Sequence, residues 1–270
     1  MVDGEGRWLN GVALDPYPCE CSIVEDPSCV DDPADREGDG YGPDPGGDPT
    51  WRTFDPFTVY QPRACSTFGL GPYAEFVDRL RASFDASQHH AIEREVWTGG
   101  VIATNPAIAD AGADLAGDPA GLPLALAQIE DAIGDTCRGG MIHMTRGAAT
   151  MAARYNLLTI DAAASGRARM TATGTPVVIG SGYTGSGPDG APAPAGASWI
   201  YATGPMLVRL GPVIIPADPP TIIDRRVNRV VVRAERSVVV EWDDCVHLAQ
   251  LAGLDESTTP VIAPGSGSGS

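Results

Sequence analysis

The order of apolar segments in the C-terminal half of the chain constrains its fold more than any other feature. Residues 139–145 and 175–179 are short apolar runs that predict buried strands. Residues 229–242 predict a longer strand, because apolar and polar side chains alternate along it with a period of two. Arg236 interrupts the apolar face of this strand, which predicts a bend or bulge there. The C-terminal half therefore predicts, in order, a strand, a helix, a Gly-rich loop with a further strand, and a long paired strand.

The helical pattern is strongest over residues 73–97, which predict one long amphipathic helix. Gly71-Pro72 precedes the helix and Gly99-Gly100 follows it, as is common at helix boundaries. The apolar stripe is predicted to consist of Phe76, Val77, Leu80, Phe84, Ala91 and Ile92.

The remaining segments give weaker predictions. Residues 124–133 and 146–155 predict two further helices. Residues 198–210 and 213–215 predict strands, whereas residues 103–121 predict a loop.

The charge and composition of the chain exclude several classes of protein. Its formal net charge is -17, and an acidic surface repels nucleic acid, so a DNA or RNA reader is not expected. The 18 basic residues are all arginine. Without a lysine amine, Schiff-base chemistry, a P-loop lysine and isopeptide crosslinks between subunits are excluded. The start of the chain is acidic and no apolar run is long enough to span a membrane, so we expect synthesis in a cytoplasm and no membrane contact.

Residues 1–70 are predicted to form an extended arm and loop, because glycine, proline and acidic residues dominate much of this segment. Its aromatic residues Trp51, Phe54 and Phe57 are expected to pack onto a neighbouring copy of the chain. Cys19, Cys21 and Cys29 leave three states open: free thiols, a disulfide or a zinc site. Residues 256–270 predict a disordered tail whose Gly-Ser repeats are natural or left by cloning.

No motif in the chain predicts a catalytic residue, a metal site or a cofactor. Residues 180–185 match the dinucleotide-binding pattern G-x-G-x-x-G, but the Pro-rich continuation excludes the helix that must follow it. Cys245 and His247 form the only cluster suggestive of a nucleophile. Capping explains that segment better: Asp243 or Asp244 is predicted to cap a short helix that begins near residue 246.

The residues then support a resemblance. The long helix ends in Glu93-Arg94-Glu95-Val96-Trp97-Thr98-Gly99, the strand 175–179 begins Thr175-Pro176-Val177-Val178, and the last strand contains Arg233-Ala234-Glu235-Arg236. In this order, over about residues 70–252, the chain resembles the major capsid proteins of tailed bacteriophages. These proteins have the Hong Kong 97-type fold, which encapsulins share.

The resemblance implies an α+β chain with an extended N-terminal arm and loop (1–70), a long spine helix, and two domains. Residues 71–100 and 221–255 would form the peripheral domain, and residues 101–220 the axial domain. The implied function is a structural shell subunit, not an enzyme, that assembles with itself into hexamers and pentamers of an icosahedral head. Such a protein resides in the virion capsid after assembly in the bacterial cytoplasm, contacts other head proteins, and encloses DNA without specific binding.

The arginine cluster near the last strand is expected to act in subunit contacts, because it is concentrated in a chain that is acidic elsewhere. It comprises Arg225, Arg226, Arg229, Arg233 and Arg236. The alternatives that stay open are an encapsulin-like shell protein, a capsid-decorating or tail protein, and an enzyme that uses Cys245 and His247.

Overall fold

The structure is a computed structural model that describes residues 12–14, 52–66, 73–136, 139–160, 168–215, 223–224, 229–243 and 245–255. In these residues it combines helices with two main β-sheets. The helices are α1 (Tyr73–Thr98), α2 (Leu122–Asp135) and α3 (Arg146–Arg154). All three lie within two residues of the boundaries that the sequence predicts.

The larger sheet forms the body of the central part of the chain. Its strand order is β4 (Asp114–Leu115), β14 (His247–Gly253), β10 (Ala197–Thr203), β6 (Met141–Thr145), β9 (Pro176–Gly180), β8 (Arg169–Met170) and β7 (Thr159–Ile160); β5 (Ala120–Gly121) also pairs with β14. The central strands β14, β10 and β6 are antiparallel, whereas β6 and β9 are parallel. Side chains of α2 and α3 share a core with one face of this sheet, including Ile129, Ala148, Ile142, Met144 and Ile200.

The smaller sheet is built around β13 (Arg229–Trp242), the longest strand. β3 (Phe57–Ser66) pairs along one edge of β13, while β11 (Met206–Leu210) and β12 (Ile223–Asp224) pair along the other. The apolar face of β13 carries Val230, Val232 and Val238, which pack in one core with the buried side of α1.

The buried side of α1 agrees with most of the predicted stripe. Its buried residues are Phe76, Leu80, Phe84, Ile92, Val96 and Trp97. Ala91 is exposed and Val77 is half-buried, so these two lie at the margin or outside the stripe. At a rise of 1.5 Å per residue, the 26 residues of α1 span about 39 Å.

The predicted bulge at Arg236 is wrong. β3 and β13 pair without interruption from Ser66 opposite Arg229 to Phe57 opposite Val238. On the other edge of β13, Leu210 pairs with Val238 and Ile214 with Glu235, so the partner segment contains one extra residue. This segment contains Pro212, which has no N–H to donate, so the irregularity lies there and not in β13. The predicted strand 213–215 is reduced to the single bridge at Ile214.

The predicted helix after Asp243 is also wrong, because residues 247–253 form strand β14. β14 pairs with β10 over its full length, from Ala197 opposite Gly253 to Thr203 opposite His247. All of its residues except His247 are buried, so both faces of the strand are covered and no alternation is visible in the sequence. Asp243 does not cap a helix: its Oδ1 accepts a hydrogen bond from the amide of Cys245 at 3.0 Å, within a turn.

Two connections between the larger and the smaller sheet lie side by side: the one from β10 to β11 and the one from β13 to β14. The predicted strand 198–210 is divided at Gly204 into β10, in the larger sheet, and β11, in the smaller one. The amide of Gly204 donates to the carbonyls of Asp243 (3.2 Å) and Val246 (3.0 Å), which lie in the connection from β13 to β14. A Cβ on Gly204 would overlap the backbone oxygen of Asp243, so this crossing requires glycine.

An antiparallel pair lies near the N-terminus, where the sequence has no clear hairpin pattern. β1 (Val12–Leu14) pairs with β2 (Arg52–Phe54), with Val12 opposite Phe54. Residues 15–51, which include Cys19, Cys21, Cys29 and Trp51, lie outside the described residues. The predicted tail at 256–270 also lies outside them.

Candidate functional site

The Gly-rich segment 180–185 is a buried packing element, with Gly180, Gly182 and Gly185 all buried. A Cβ on Gly182 would overlap the backbone oxygen of His90 in α1 and lie 2.8 Å from the amide nitrogen of Arg94. Gly185 has a φ of 71°, in the left-handed region. The next helical residues form only a 3₁₀ turn, Pro188–Gly190. A dinucleotide site requires a helix N-terminus at this point, so the motif does not form one.

Two carboxylates near the end of α1 hold two loops against it. The Oε2 atom of Glu93 accepts hydrogen bonds from the Ser181 hydroxyl (2.9 Å) and the Gly182 amide (2.7 Å). Oε1 of Glu95 accepts from the amides of Val101 (2.9 Å) and Ile102 (3.0 Å). Hydrogen bonds to a carboxylate are stronger than neutral ones. The acidic pair noted in the sequence therefore attaches the Gly-rich segment and the loop after α1 to the helix.

We expect Glu93→Ala to lower the free energy of unfolding by about 1.5–3 kcal/mol, because a charge-assisted pair of hydrogen bonds is lost and the Gly182 amide loses its acceptor. Equilibrium denaturation with urea measures this change. Asp78→Ala is the control, because Asp78 is an exposed acid on the same helix. Equal losses in the two variants would contradict the role of Glu93.

An aromatic cluster joins α1 to the larger sheet. Trp97 is fully buried, and its ring centroid lies 4.7 Å from that of Tyr183 and 5.0 Å from that of Tyr201. Its indole N–H donates to the Ser186 hydroxyl at 3.1 Å, and the Tyr201 hydroxyl donates to the Ser186 carbonyl at 3.2 Å. Burial raises the pKa of both tyrosines, assisted by the charge of Glu93 at Tyr183 and of Asp110 at Tyr201. Both phenols therefore stay protonated and act as donors.

His143 lies at the centre of a closed hydrogen-bonded chain. Its Nε2 is 2.8 Å from the Thr203 hydroxyl and its Nδ1 is 3.0 Å from the Tyr183 hydroxyl. Because the Thr203 hydroxyl donates to the carbonyl of Gly204, it accepts from His143 Nε2–H. Tyr183 then donates to Nδ1. Burial, and secondarily the charge of His247, lowers the pKa of His143 to about 3, so the ring is neutral.

This chain of groups fits a structural role better than a catalytic one. His143 has no exposed surface, and both ring nitrogens are occupied by protein partners. A general base must reach a substrate proton, which a fully enclosed ring cannot do. Sequence reasoning did not single out His143, because one histidine inside an apolar strand carries no distinctive signal.

The Cys245 and His247 cluster is not arranged as a nucleophile and base. Cys245 is disulfide-bonded, so its thiol is not available. His247 uses its Nε2 to contact the carbonyl oxygen of Ile108 at 2.9 Å. His89 and His90 are exposed on α1. In the part of the chain that the structure describes, no group of three or more His, Cys, Asp or Glu side chains could hold a metal ion.

The predicted contact aromatics are used within the chain. Phe54 is fully buried, with its ring 5.5 Å from that of Trp242, and Phe57 is 6% exposed. Both side chains are therefore covered without a second copy, which differs from the expectation that they pack onto a neighbour. The reason is that both side chains belong to the core that residues of α1 and β13 also form.

The predicted contact arginines are divided between the faces of β13. Arg229 and Arg233 are exposed on its polar face, whereas Arg236 is half-buried on the opposite face. Arg233 forms an ion pair with the buried Glu235 and lies over the ring of Tyr60, 5.2 Å from its centroid. Arg225 and Arg226 lie outside the described residues. A second ion pair that sequence reasoning missed joins Arg209 to Glu241 at 2.7 Å on the same sheet.

None of the described helices is long and apolar enough to span a membrane.

Comparisons with known proteins give similarity of structure and not of sequence. No family model and no curated protein matches the chain. The structure from Gordonia phage Cozz is 14% identical, with a TM-score of 0.50 over 94% of this chain and 82% of that one. The capsid of Ralstonia phage GP4 is 10% identical, with a TM-score of 0.50 over 96% and 87%. The holo-SrpI encapsulin complex from Synechococcus elongatus is 10% identical, with a TM-score of 0.47 over 81% and 80%.

The similarity to the two phage structures covers 94% and 96% of this chain. It includes the mixed helix and sheet architecture that the sequence predicts. The chain has the Hong Kong 97-type capsid fold.

Proposed function

We propose that the chain is a structural shell subunit, a major capsid protein that assembles into hexamers and pentamers of an icosahedral phage head enclosing DNA. The observation that carries this proposal is the similarity to the capsid of Ralstonia phage GP4 over 96% of the chain. The net charge of -17 suits an inner wall past which packaged DNA slides without binding. In this proposal the protein resides in the virion and contacts other head proteins after assembly in the host cytoplasm.

The chain is proposed to have no catalytic activity and no cofactor. The buried polar cluster around His143 is closed to substrate and joins elements of the fold. Cys245 is in a disulfide, so it supplies no thiolate nucleophile.

In the proposed shell, α1 is the spine helix, the larger sheet with α2 and α3 is the axial domain, and the smaller sheet with α1 is the peripheral domain. The two sheets suggest two changes to the boundaries expected from sequence. β11 pairs with β13 and so groups with the peripheral domain, while β14 pairs with β10 and groups with the axial domain. Residues 1–70 remain the proposed extended arm and loop, now with a base at β1 and β2.

Purified protein imaged by negative-stain electron microscopy tests the proposed function. We expect closed particles of uniform diameter and a sedimentation coefficient that corresponds to megadalton assemblies of the 28.0 kDa chain. A chain that stays monomeric at every protein and salt concentration would contradict the proposal. A protein cargo inside the particles, in place of DNA, would favour the encapsulin-like alternative.

The exposed arginines of β13 are proposed to contact neighbouring subunits, and Arg229 is the clearest probe. We expect Arg229→Ala to leave the melting temperature of the monomer unchanged, because the side chain is exposed. The concentration needed for assembly should rise about two- to fivefold per contact, the effect of an ion pair worth up to about 1 kcal/mol. Light scattering across a salt series measures this concentration.

Arg233→Ala is the internal comparison. Its guanidinium pairs with the buried Glu235, so its loss should lower the stability of the monomer itself by about 1–3 kcal/mol. If Arg229→Ala assembles normally at all salt concentrations, Arg229 makes no subunit contact and is a solvated surface residue.

A further inference from the structure

The connection from β13 to β14 carries a disulfide where the chain passes from one sheet to the other. Cys245 is disulfide-bonded and lies between Trp242, the last residue of β13, and His247, the first residue of β14. Trp242 is buried in the core that α1 shares with β13, whereas Val246 is buried in the core that α2 and α3 share with the larger sheet. The bond is therefore attached to the crossing between the two cores.

The backbone around Cys245 is held closely by its neighbours. The Cys245 amide donates to Oδ1 of Asp243 at 3.0 Å. The Gly204 amide donates to the carbonyls of Asp243 and Val246, one on either side of Cys245 in the chain. Cys245 itself is half-buried, so it keeps contact with solvent, which small oxidants and reductants require. A change in the oxidation state of Cys245 therefore acts on both connections between the sheets.

The partner of Cys245 is distant in sequence. Cys65, the other cysteine in the part of the chain that the structure describes, is a free thiol, so the partner is one of the four cysteines outside that part. These are Cys19, Cys21, Cys29 and Cys137. All four precede Cys245 by more than 100 residues. A crosslink across such a separation removes much of the conformational freedom of the unfolded chain, which stabilises the fold.

The compartments of the proposed life cycle differ in how they treat such a bond. Disulfides are rare in a reducing cytoplasm, where the shell is proposed to assemble, and they form and persist on virions in an oxidising medium. The chain contains no lysine, so an isopeptide bond cannot crosslink it. A disulfide is therefore a covalent bond that this chain can still form after assembly.

We propose that Cys245 and its partner are thiols while the subunit is made and assembles, and that they are oxidised in the released particle, where the bond locks the crossing between the two sheets. The change of compartment rests on the proposed function. In the reaction the two thiols lose two protons and two electrons as the S–S bond forms. Molecular oxygen takes them up and becomes hydrogen peroxide, or a small disulfide takes them up and becomes two thiols.

Trapping the thiols before and after lysis tests when the bond forms. Bacteria that express the full chain are treated with a thiol-alkylating agent before lysis, and particles purified in air are treated in the same way. Peptides of both samples are then mapped by mass spectrometry without reductant. We expect Cys245 to be mainly alkylated in the cells and mainly disulfide-bonded in the particles. A disulfide that is already complete in the cells, or an alkylated Cys245 in the particles, would overturn the proposed timing.

Reduction of the oxidised protein tests whether the bond locks the crossing. We expect a reductant to lower the melting temperature by about 5–15 °C, the effect of losing a disulfide that closes a long loop. Hydrogen exchange of the Gly204 amide should become roughly tenfold faster, because this amide donates to the two carbonyls that flank Cys245. Unchanged exchange at Gly204 would show that the bond does not hold the crossing.

Cys245→Ser and Cys65→Ser form a matched pair of variants. Cys245→Ser should melt like the reduced wild type and should not respond to reductant. Cys65→Ser should keep the full response of the wild type, because Cys65 is a free thiol. A response to reductant that persists in Cys245→Ser would assign the effect to another bond and contradict the proposal. If Cys245→Ser does not fold, the comparison of oxidised and reduced wild type decides the result.

Assembly with reductant present throughout separates this inference from the proposed function. The wild type should still form closed particles under these conditions, because the bond is proposed to follow assembly. Particles that form only without reductant would overturn the proposed timing and leave the proposed function intact. If the wild type forms no particles in either condition, the proposed function fails and the timing fails with it, whereas the melting and exchange experiments still decide whether the bond locks the crossing.

Discussion

Replacing Gly182 by alanine is expected to lower the free energy of unfolding by about 3 kcal/mol, the upper end of the range for overpacking a rigid site. A single methyl group would overlap the backbone oxygen of His90 and press on the amide nitrogen of Arg94. Both atoms belong to the backbone of α1, so neither can rotate away as a side chain could. Relief requires that the Gly-rich segment move off the helix, which also breaks the hydrogen bond from the Gly182 amide to Glu93.

Gly134→Ala is the matched control for this substitution. Gly134 lies inside α2, and a Cβ there has no neighbour within 4 Å. Alanine should raise the stability by up to about 1 kcal/mol, because it favours the helix over the unfolded chain. Urea denaturation of both variants measures the difference between them. If the free energy of unfolding of Gly182→Ala lies within about 0.5 kcal/mol of the wild-type value, the contact between the Gly-rich segment and α1 is loose, and the attachment of the segment to the helix does not depend on glycine at this position.

The elements that sequence could predict are those whose burial is one-sided. α1 shows this clearly: Phe76, Leu80 and Phe84 recur at helical spacing because only one side of the helix meets the core. The first part of β13, residues 229–234, is predictable for the same reason, with a period of two, whereas most of residues 235–242 are buried on both faces. In both cases the pattern is local, so no knowledge of the partner segment is needed.

β14 shows where local reasoning fails. Leu248, Ala249 and Leu251 favour a helix by intrinsic propensity, and burial on both faces removes the alternation that would indicate a strand. Its strand state depends on β10, a segment about 50 residues earlier in the chain, which pairs with it residue by residue. β4 and β5 are similar, since two-residue strands exist only through their pairing with β14.

The hydrogen bonds of His143 with Tyr183 and Thr203 could not be predicted from the sequence either. The partners of the ring lie 40 and 60 residues away, at Tyr183 and Thr203. The capsid resemblance drew attention to Glu93 and Glu95, but only the structure shows which amides they hold. The G-x-G-x-x-G run is a motif in sequence that does not have the function of that motif. Its glycine at residue 182 is required because a Cβ there would overlap the backbone of α1.

Acid is expected to destabilise the folded subunit through His143. The unfolded chain binds a proton at this ring near pH 6.5, whereas burial lowers the folded-state pKa to about 3. Between these values the unfolded state binds more protons, so the stability falls as the pH falls, by about 1.4 kcal/mol per pH unit for one group. The contribution of neutral His143 is complete above pH 6.5, is lost between pH 6.5 and 3, and changes no further below pH 3.

The geometry explains why protonation cannot be accommodated in the fold. A proton on Nδ1 would face the Tyr183 hydroxyl, which now donates to that atom, and charge repulsion from His247 further opposes a positive charge on the ring. Breaking the chain of hydrogen bonds would release the Gly-rich segment from β6, and with it the aromatic contacts that Tyr183 makes with Trp97. We therefore expect that, as the pH falls, the contacts that Tyr183 makes between α1 and the larger sheet are lost before other parts of the subunit unfold.

His143→Gln separates this titration from the acid sensitivity of the carboxylates. A glutamine amide can accept from Tyr183 and donate to Thr203, but it does not titrate. The variant should be less stable than the wild type at pH 7, because the amide fills the site less well, yet its stability should fall less steeply between pH 6.5 and 4. His89→Gln, at an exposed site, should keep the wild-type slope. Urea denaturation at half-unit pH steps measures the three slopes, and a His143→Gln slope equal to that of the wild type would show that a different group governs the response to acid.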